Sequence, residues 1–405
     1  MVDFFRALGR SILERWERAR FDASAFPELA AAALGERPPS AHVDPMEIVR
    51  HVERSDALET QEGPEVDFGE PAITVFRCER FRIDVLFWVD GTTTIHEHAF
   101  SGAFHVMQGG SLESRYAFSP TRRLSERLLL GDLALRSVDR LRAGDVRPIH
   151  PGAKLVHALF HLDRPSVSVV VRTPRDDGAR PQYDYARPGI AFDPYHRTDV
   201  MRRRLAILRM LSRTGYADFD THALYTVQSA DAPTAFHLLT GLRPEFRDPA
   251  SYLAFLQRLR PAHPELVEAL VPWEHDQRRT AHIVRLRALA KNAEHRFFLA
   301  VLLNVTDRRR ILDAVQAEHP TRPASESVLR WIAELARVDR VNAWVAQTAG
   351  ATAVPAMVDF PVDERTMNVA RRMLEDRWSG PTCEGEAAAE QALRASLLVG
   401  AMVGP

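Results

Sequence analysis

The run Gly91-Thr-Thr-Thr-Ile-His-Glu-His98 decides how this chain is read. On an extended strand, side chains two residues apart point to the same face, so His96 and His98 project together. His157, in Pro151-Gly-Ala-Lys-Leu-Val-His157, follows a second Gly/Pro turn and offers a third imidazole from a neighbouring strand. Three nitrogens gathered on one side of an ion leave its other positions open. A neutral imidazole suits iron, copper, zinc and nickel alike, so the set argues for a metal more firmly than for its identity. Turns bearing glycine bracket the pair at Asp90-Gly91 and Gly109-Gly110.

Around this pair, from about residue 71 to 174, the pattern has period two and many β-branched and aromatic residues. Nine short strands are expected, over 72–78, 80–88, 92–98, 103–108, 111–118, 127–138, 146–150, 154–161 and 166–173, with Gly, Pro and Asp turns between them. That number at that spacing implies a sandwich or small barrel. Upstream, Phe4, Phe5, Leu8, Ile12 and Trp16 recur at helical spacing. Pro27 and Gly35 bound a second helix, and Asp44-Pro45-Met46-Glu47 starts a third. Residues 1–60 therefore read as a helical lead and 70–175 as the barrel. The stretch 176–194, rich in Pro, Gly, Asp and Arg, reads as a linker, and 195–405 as an all-helical domain, with helix starts at Asp248-Pro249 and His263-Pro264.

A chain of 405 residues is too long for one ordinary core, which agrees with more than one domain. Its formal net charge of -1 argues against general affinity for nucleic acid or anionic membrane. Lys154 and Lys291 are the only lysines, and an arginine-rich, alanine-rich composition is that of a GC-rich bacterial genome. No run of about 18 apolar residues exists to span a bilayer, and Met1-Val-Asp-Phe-Phe-Arg6 lacks the order of a secretory signal. A cytoplasmic location is expected, with Cys78 and Cys383 as free thiols.

At its two His-bearing turns the sequence resembles the cupin superfamily, and within it the three-His thiol dioxygenases that include cysteine dioxygenase. The first cupin motif, G-x5-H-x-H-x3,4-E-x6-G, is met by His96, His98 and Gly109, with Gly91 one residue nearer than the form. Ala103 stands about where most cupins place a glutamate ligand, and in the three-His thiol dioxygenases that position is also small. The second motif, G-x5-P-x-G-x2-H-x3-N, is echoed by Gly144, Pro151, Gly152 and His157, with His161 where asparagine is usual. Leu86-Phe-Trp88, Ala103-Phe104, Gly110-Ser-Leu-Glu113 and Pro165-Ser-Val-Ser168 follow in the order of similar cysteine dioxygenase segments. The resemblance spans residues 70–175 and implies an α+β protein: a cupin double-stranded β-helix barrel with an N-terminal helical lead and a C-terminal all-α domain. It departs after the third histidine. Where relatives carry Ser-x-His-x-Tyr, this chain has Ser168, Val170 and Arg172.

The resemblance implies a non-haem iron(II) oxygenase using dioxygen on a small molecule, a thiol or a carboxylate-bearing substrate, with His96, His98 and His157 as ligands. Zinc, nickel, manganese and copper remain open as occupants. His105 and His161 are candidate catalytic residues: if Ala103 faces the pocket so does His105, and His157, Leu159 and His161 share a face. Arg82, Asp84, Leu86 and Trp88 alternate onto one strand face, which makes Arg82 and Trp88 candidate substrate contacts, with a buried Arg82–Asp84 pair as the plainer reading. Arg172 offers a bidentate fork to a carboxylate, and Arg77 has a similar claim. Two further readings stay open. One is a non-catalytic cupin module that binds a ligand or partner, the helical domain serving a second copy or another protein; the other is a metal-dependent isomerase or hydrolase.

Overall fold

The computed structural model describes residues 1–55, 58–61, 69–175, 181–348 and 358–403. The chain divides into two compact units, one of Met1–Ser137 with Leu141–Asp276 and one of Val138–Arg140 with Gln277–Pro405. The fold is α+β, and its β part consists of two sheets, one open and one closed on itself.

The first unit opens with α1 (Val2–Arg18), α2 (Phe26–Glu36) and α3 (Pro45–Arg54). The period seen in the sequence has its cause in burial: Phe5, Leu8, Ile12 and Trp16 form the inward stripe of α1. Asp44 caps α3 by accepting the Met46 N–H at 3.0 Å. Eleven strands follow among the described residues: β1 (Ala72–Arg77), β2 (Arg82–Trp88), β3 (Ile95–His96), β4 (Gly102–Gln108), β5 (Gly110–Ser125), β6 (Leu128–Arg142), β7 (Val146–Ile149), β8 (Val156–His161), β9 (Ser166–Arg172), β10 (Asp184–Ala186) and β11 (Ile190–Phe192). One sheet has the order β1-β2-β9-β4-β7, and the other closes on itself as β10-β11-β6-β5-β8-β3.

Each sheet is covered on both faces, and this positions the site. The first sheet turns Ile83, Val85, Ala103, Met107, Val169 and Val171 outward against α1 and α2. It turns Leu86, Trp88, Phe104, Val106 and Val170 inward. In the second sheet Ile95, Tyr116, Val156, Ala158, Tyr185 and Ala191 form a separate core within the closed barrel. Their alternates on β3, β5 and β8, including His96, Glu113 and His157, must then point the other way. A side chain such as Phe5, Leu34 or Ile83, with no exposed surface, contributes about 1.5–3 kcal/mol by leaving water.

Two domain boundaries are corrected. The stretch read as a linker, 176–194, carries β10 and β11, which complete the barrel: Asp184 lies opposite His96, and Ile190 opposite Leu130. Strands of three residues are too short to show period two, and only the ladder reveals them; positions 176–180 lie outside the described residues. The helices after 195 are not one domain either. α4 (Asp199–Arg213), α5 (Phe219–Gln228), α6 (Ala232–Leu242), α7 (Pro249–Leu259) and the start of α8 (Pro264–Leu289) belong to the barrel's unit. The physical reason is burial, because Leu238, Leu239, Phe255 and Leu256 share a core with Leu128 and Ile190 of the barrel.

The second unit is all-helical apart from its three residues of β6. It includes α9 (Ala293–Asn304), α10 (Arg308–Glu318), α11 (Ala324–Thr348), α12 (Glu364–Leu374), α13 (Glu384–Ala395) and α14 (Gly400–Val403). Every residue of α9 from His295 to Asn304 is buried, which makes it the central helix, and Phe298 packs on Trp331 with ring centroids 5.5 Å apart. Cys78 and Cys383 are free thiols. No helix among the described residues is long and apolar enough to cross a membrane.

Where β11 meets β6, the Gly131 N–H donates to the Gly189 carbonyl at 2.9 Å. A Cβ on Gly189 would run into the Gly131 carbonyl oxygen, so β11 can lie this close only as glycine. Gly189→Ala is expected to destabilise this unit by about 2–3 kcal/mol, read as a lower urea midpoint. An unchanged midpoint would show that β11 can draw back freely.

Candidate metal centre

β3 is two residues long, and its pairing sets the site. His96 lies directly opposite His157 on β8, which brings imidazoles from distant parts of the chain to one face. His98 follows β3 and is held by its backbone, its carbonyl accepting the Gly152 N–H at 2.8 Å. The three rings close into a cluster with centroids 4.7 Å apart for His96–His98 and 5.1 Å for each with His157. One nitrogen from each lies within 4.8 Å of the others, and all three residues are buried. Among the described residues this is the one such group of His, Cys, Asp and Glu side chains.

The outer nitrogens decide which way the lone pairs face. His96 Nδ1–H donates to the Thr94 carbonyl at 2.9 Å, and His157 Nδ1–H donates to Glu113 Oε1 at 2.9 Å. Both rings are thereby fixed in the tautomer that leaves Nε2 as the ligating atom. His98 Nε2 and His157 Nε2 are 3.0 Å apart. Two nitrogens bonded to one ion at a right angle, each at about 2.1 Å, stand about 3 Å apart, so the spacing fits shared coordination. Burial and the neighbouring His157 push His96 down to about 3, against the opposing pull of the Thr94 carbonyl. Burial, the other two imidazoles and Arg172 hold His98 well below the usual histidine range. These two rings are neutral at pH 7 and have lone pairs to give.

Glu113 was not singled out from the sequence, yet it orders the centre. It is fully buried on β5, holds His157, and pairs with Arg115 at 3.0 Å and with Arg147 at 3.6 Å. Burial opposes its ionisation, but the His157 bond and the Arg115 charge prevail and keep the carboxyl below its ordinary value. Its sequence signal is Glu113-Ser-Arg115, an acid and a base two apart on one strand face.

Beside the histidines lies a small cavity of about 40 Å³. His98 and His157 line it together with Leu86, Trp88, Phe100, Phe104 and Val170. Trp88 forms part of this wall, its indole N–H donating to Ser168 Oγ at 3.1 Å. Arg172 also lines the cavity, but its Nε donates to Asp84 Oδ2 at 2.8 Å. Arg82 donates to the same oxygen at 2.9 Å and is not among the lining residues, so the buried pair is the arrangement adopted. Arg77 sits opposite Arg82 at the end of β1, away from the lining.

The placement of His105 is corrected. Ala103 and Met107 of β4 pack outward against α1 and α2 while Phe104 and Val106 face inward, so His105 points away from the centre. Its Nε2 accepts the Ser40 N–H at 3.3 Å and lies 3.0 Å from Ser40 Oγ. No carboxylate stands on the inward face of β4 near His157; the ring of Phe104 does, at 6.5 Å. His161 shares the inward face of β8 as expected, but it stacks on Trp88 at 4.5 Å, its Nδ1 2.8 Å from Ser166 Oγ and 3.0 Å from Ser111 Oγ. It stands behind the indole and outside the imidazole cluster.

No protein-family model matches the chain, and no curated protein matches it. Among solved structures it is similar to a cupin-2 domain protein of Shewanella frigidimarina, at 13% identity over 33% of this chain and 96% of that one, with a TM-score of 0.19. It is also similar to a DMSP lyase of Ruegeria pomeroyi, at 16% identity over 44% of this chain and 94% of that one, with a TM-score of 0.24. A third similarity is to oxalate oxidase in complex with glycolate, at 19% identity over 42% of this chain and 79% of that one, with a TM-score of 0.21. The fold rests on the strand pairing described above, and the site on its own geometry.

Glu113→Gln keeps the shape and removes the charge behind His157. It is expected to weaken metal binding by about 10- to 100-fold in a calorimetric titration, with the circular dichroism unchanged. Equal affinity would remove Glu113 from the centre.

Burial pushes His105 down to about 4, with Asp145 opposing. The unfolded histidine titrates near ~6.5, so the unfolded chain takes up its proton first as pH falls. Stability contributed here is present above about pH 6.5 and lost on descending to about 4. Protonation would also turn Nε2 from an acceptor of the Ser40 N–H into a competing donor. His105→Leu is expected to flatten the acid limb of a plot of urea midpoint against pH in that window. A limb as steep as wild type would assign the acid sensitivity elsewhere.

Proposed function

We propose that the barrel is the catalytic part of a non-haem iron(II) oxygenase that acts on a small molecule, with His96, His98 and His157 as the metal ligands. One observation carries this reading: three buried imidazoles converge, two of them held neutral, and no carboxylate belongs to the group. Bound iron would supply a dipositive centre with open positions for a substrate and dioxygen. The resemblance to the three-His thiol dioxygenases adds a thiol as the candidate substrate group.

The chain's own residues then do four things. Glu113 keeps the proton of His157 on Nδ1, and Thr94 does the same for His96, so that Nε2 of each stays a ligand. Leu86, Phe104 and Val170 give the space beside the ligands an apolar wall. Trp88, braced by His161 behind it and by Ser168 at its N–H, fixes one wall. Asp84 and Arg172 bring charge to the wall but are bonded to each other. Val170 and Arg172 stand where the relatives carry a histidine and a tyrosine, so no phenol is among the lining residues to position a proton.

Purified protein is expected to contain about one iron per chain and to consume oxygen when given a suitable small molecule, measured by metal analysis and an oxygen electrode. His98→Ala and His157→Ala should each lose the metal while remaining folded by circular dichroism. Zinc or nickel without oxygen uptake would replace this reading with a metal-dependent isomerase or hydrolase. A folded protein that takes up no metal would leave a ligand- or partner-binding module.

A further inference from the structure

The wall of the cavity beside His98 and His157 says what kind of molecule can enter. Leu86, Trp88, Phe100, Phe104, Ile149 and Val170 supply most of it. Its polar side chains other than the histidines are Asp84, Ser168 and Arg172, and each is already engaged. Ser168 Oγ accepts the Trp88 indole N–H at 3.1 Å. Asp84 Oδ1 accepts the Thr74 hydroxyl at 2.8 Å, and Oδ2 accepts Nε–H from Arg82 at 2.9 Å and from Arg172 at 2.8 Å. The two lining charges, Asp84 and Arg172, are therefore in direct contact, with Arg82 on the same carboxylate oxygen. The Arg172 guanidinium also lies 5.4 Å from the Phe100 ring centroid, held along the wall by the aromatic face.

We infer that this cavity takes a small molecule that is apolar apart from the one group it presents to the histidines, and that it rejects molecules carrying a second charge. The inference rests on the cavity being the substrate chamber of the proposed enzyme. An ammonium brought here would meet a carboxylate already shared by two guanidiniums and a hydroxyl. A carboxylate would have to compete with Asp84 for Arg172, whose Nε–H that acid holds at 2.8 Å. Either group would also enter with little of its hydration, since the space is small and mostly apolar. Free amino acids, cysteine among them, carry both charges and fall outside the class. Short thiols, and other small molecules with one polar end and an aliphatic body, fall within it. Arg172 thereby acts as part of the wall and not as an anchor for a substrate carboxylate.

The test uses matched pairs of equal size: 1-propanethiol against 2-aminoethanethiol, and 2-methyl-1-propanethiol against mercaptoacetate. Binding to the full chain stripped of metal is followed by saturation-transfer NMR. The same series is then titrated into the cobalt(II)-loaded chain and read from its visible spectrum. Each neutral thiol is expected to bind at least tenfold more tightly than its charged partner in both experiments. Val170→Phe, which fills the cavity, is expected to abolish the NMR signal of the neutral thiols. Leu159→Phe does the same from another wall should the first variant fail to fold. Equal or tighter binding of a charged member, no binding of any thiol, or signals that survive both filling variants would overturn the inference. Neutral thiols that bind to a chain taking up no cobalt(II) would sink the metal reading and leave the cavity's preference standing.

Discussion

The meeting of β3 and β8, with His96 directly across from His157, constrains everything else in the site. β3 has only two residues, so this pairing cannot be averaged over a long ladder. It is supported instead by β10 on the other edge, where Asp184 lies opposite His96, and by β5, which pairs with β8 along its whole length. That second pairing places Arg115 opposite His157 and Glu113 opposite Leu159, which is how the Glu113 carboxylate comes to lie behind the His157 ring. Ligand position, tautomer and supporting charge all descend from backbone register.

The electrostatic arrangement follows from where water is kept out. Two imidazoles placed in a buried cluster lose the option of carrying charge and become good ligands. The carboxylate that orients the third is kept ionised by Arg115 and His157 despite its burial. Charge in the cavity wall is treated differently again. Asp84 is held between Arg172 and Arg82, so the chamber is bounded by charges already bonded to each other and set among aromatic and aliphatic side chains. The protein separates the charge that tunes the ligands from the surface a substrate would touch.

Much of this was legible in the sequence, and the parts that were not share a physical cause. Alternation and turn residues located β1, β2 and β4 to within about two residues. Asp248 does cap α7, accepting the Ser251 N–H at 2.7 Å, as its place before Pro249 predicts. The His-x-His pair and the third His were readable because few other arrangements use them. The facing of β4 was not. Gly102-Ala-Phe-His-Val-Met107 is apolar on both parities because helices cover one side of its sheet and the chamber lies on the other, so alternation carries no direction. His105 went to the wrong face for that reason. β10 and β11 escaped because three residues show no period. Glu113 escaped because a partnered buried acid looks, in one dimension, like an ordinary polar residue on a strand.

The alternation along β8 has one more implication. Val156 and Ala158 point into the tyrosine-bearing core of the closed barrel, and His157 and Leu159 point to the chamber. Sliding this strand by a single position would thrust an imidazole into greasy packing while swinging valine and alanine toward the ligands. Misalignment would therefore cost the packing and the histidine cluster together. Correct assembly of the scaffold is also what brings the three imidazoles together.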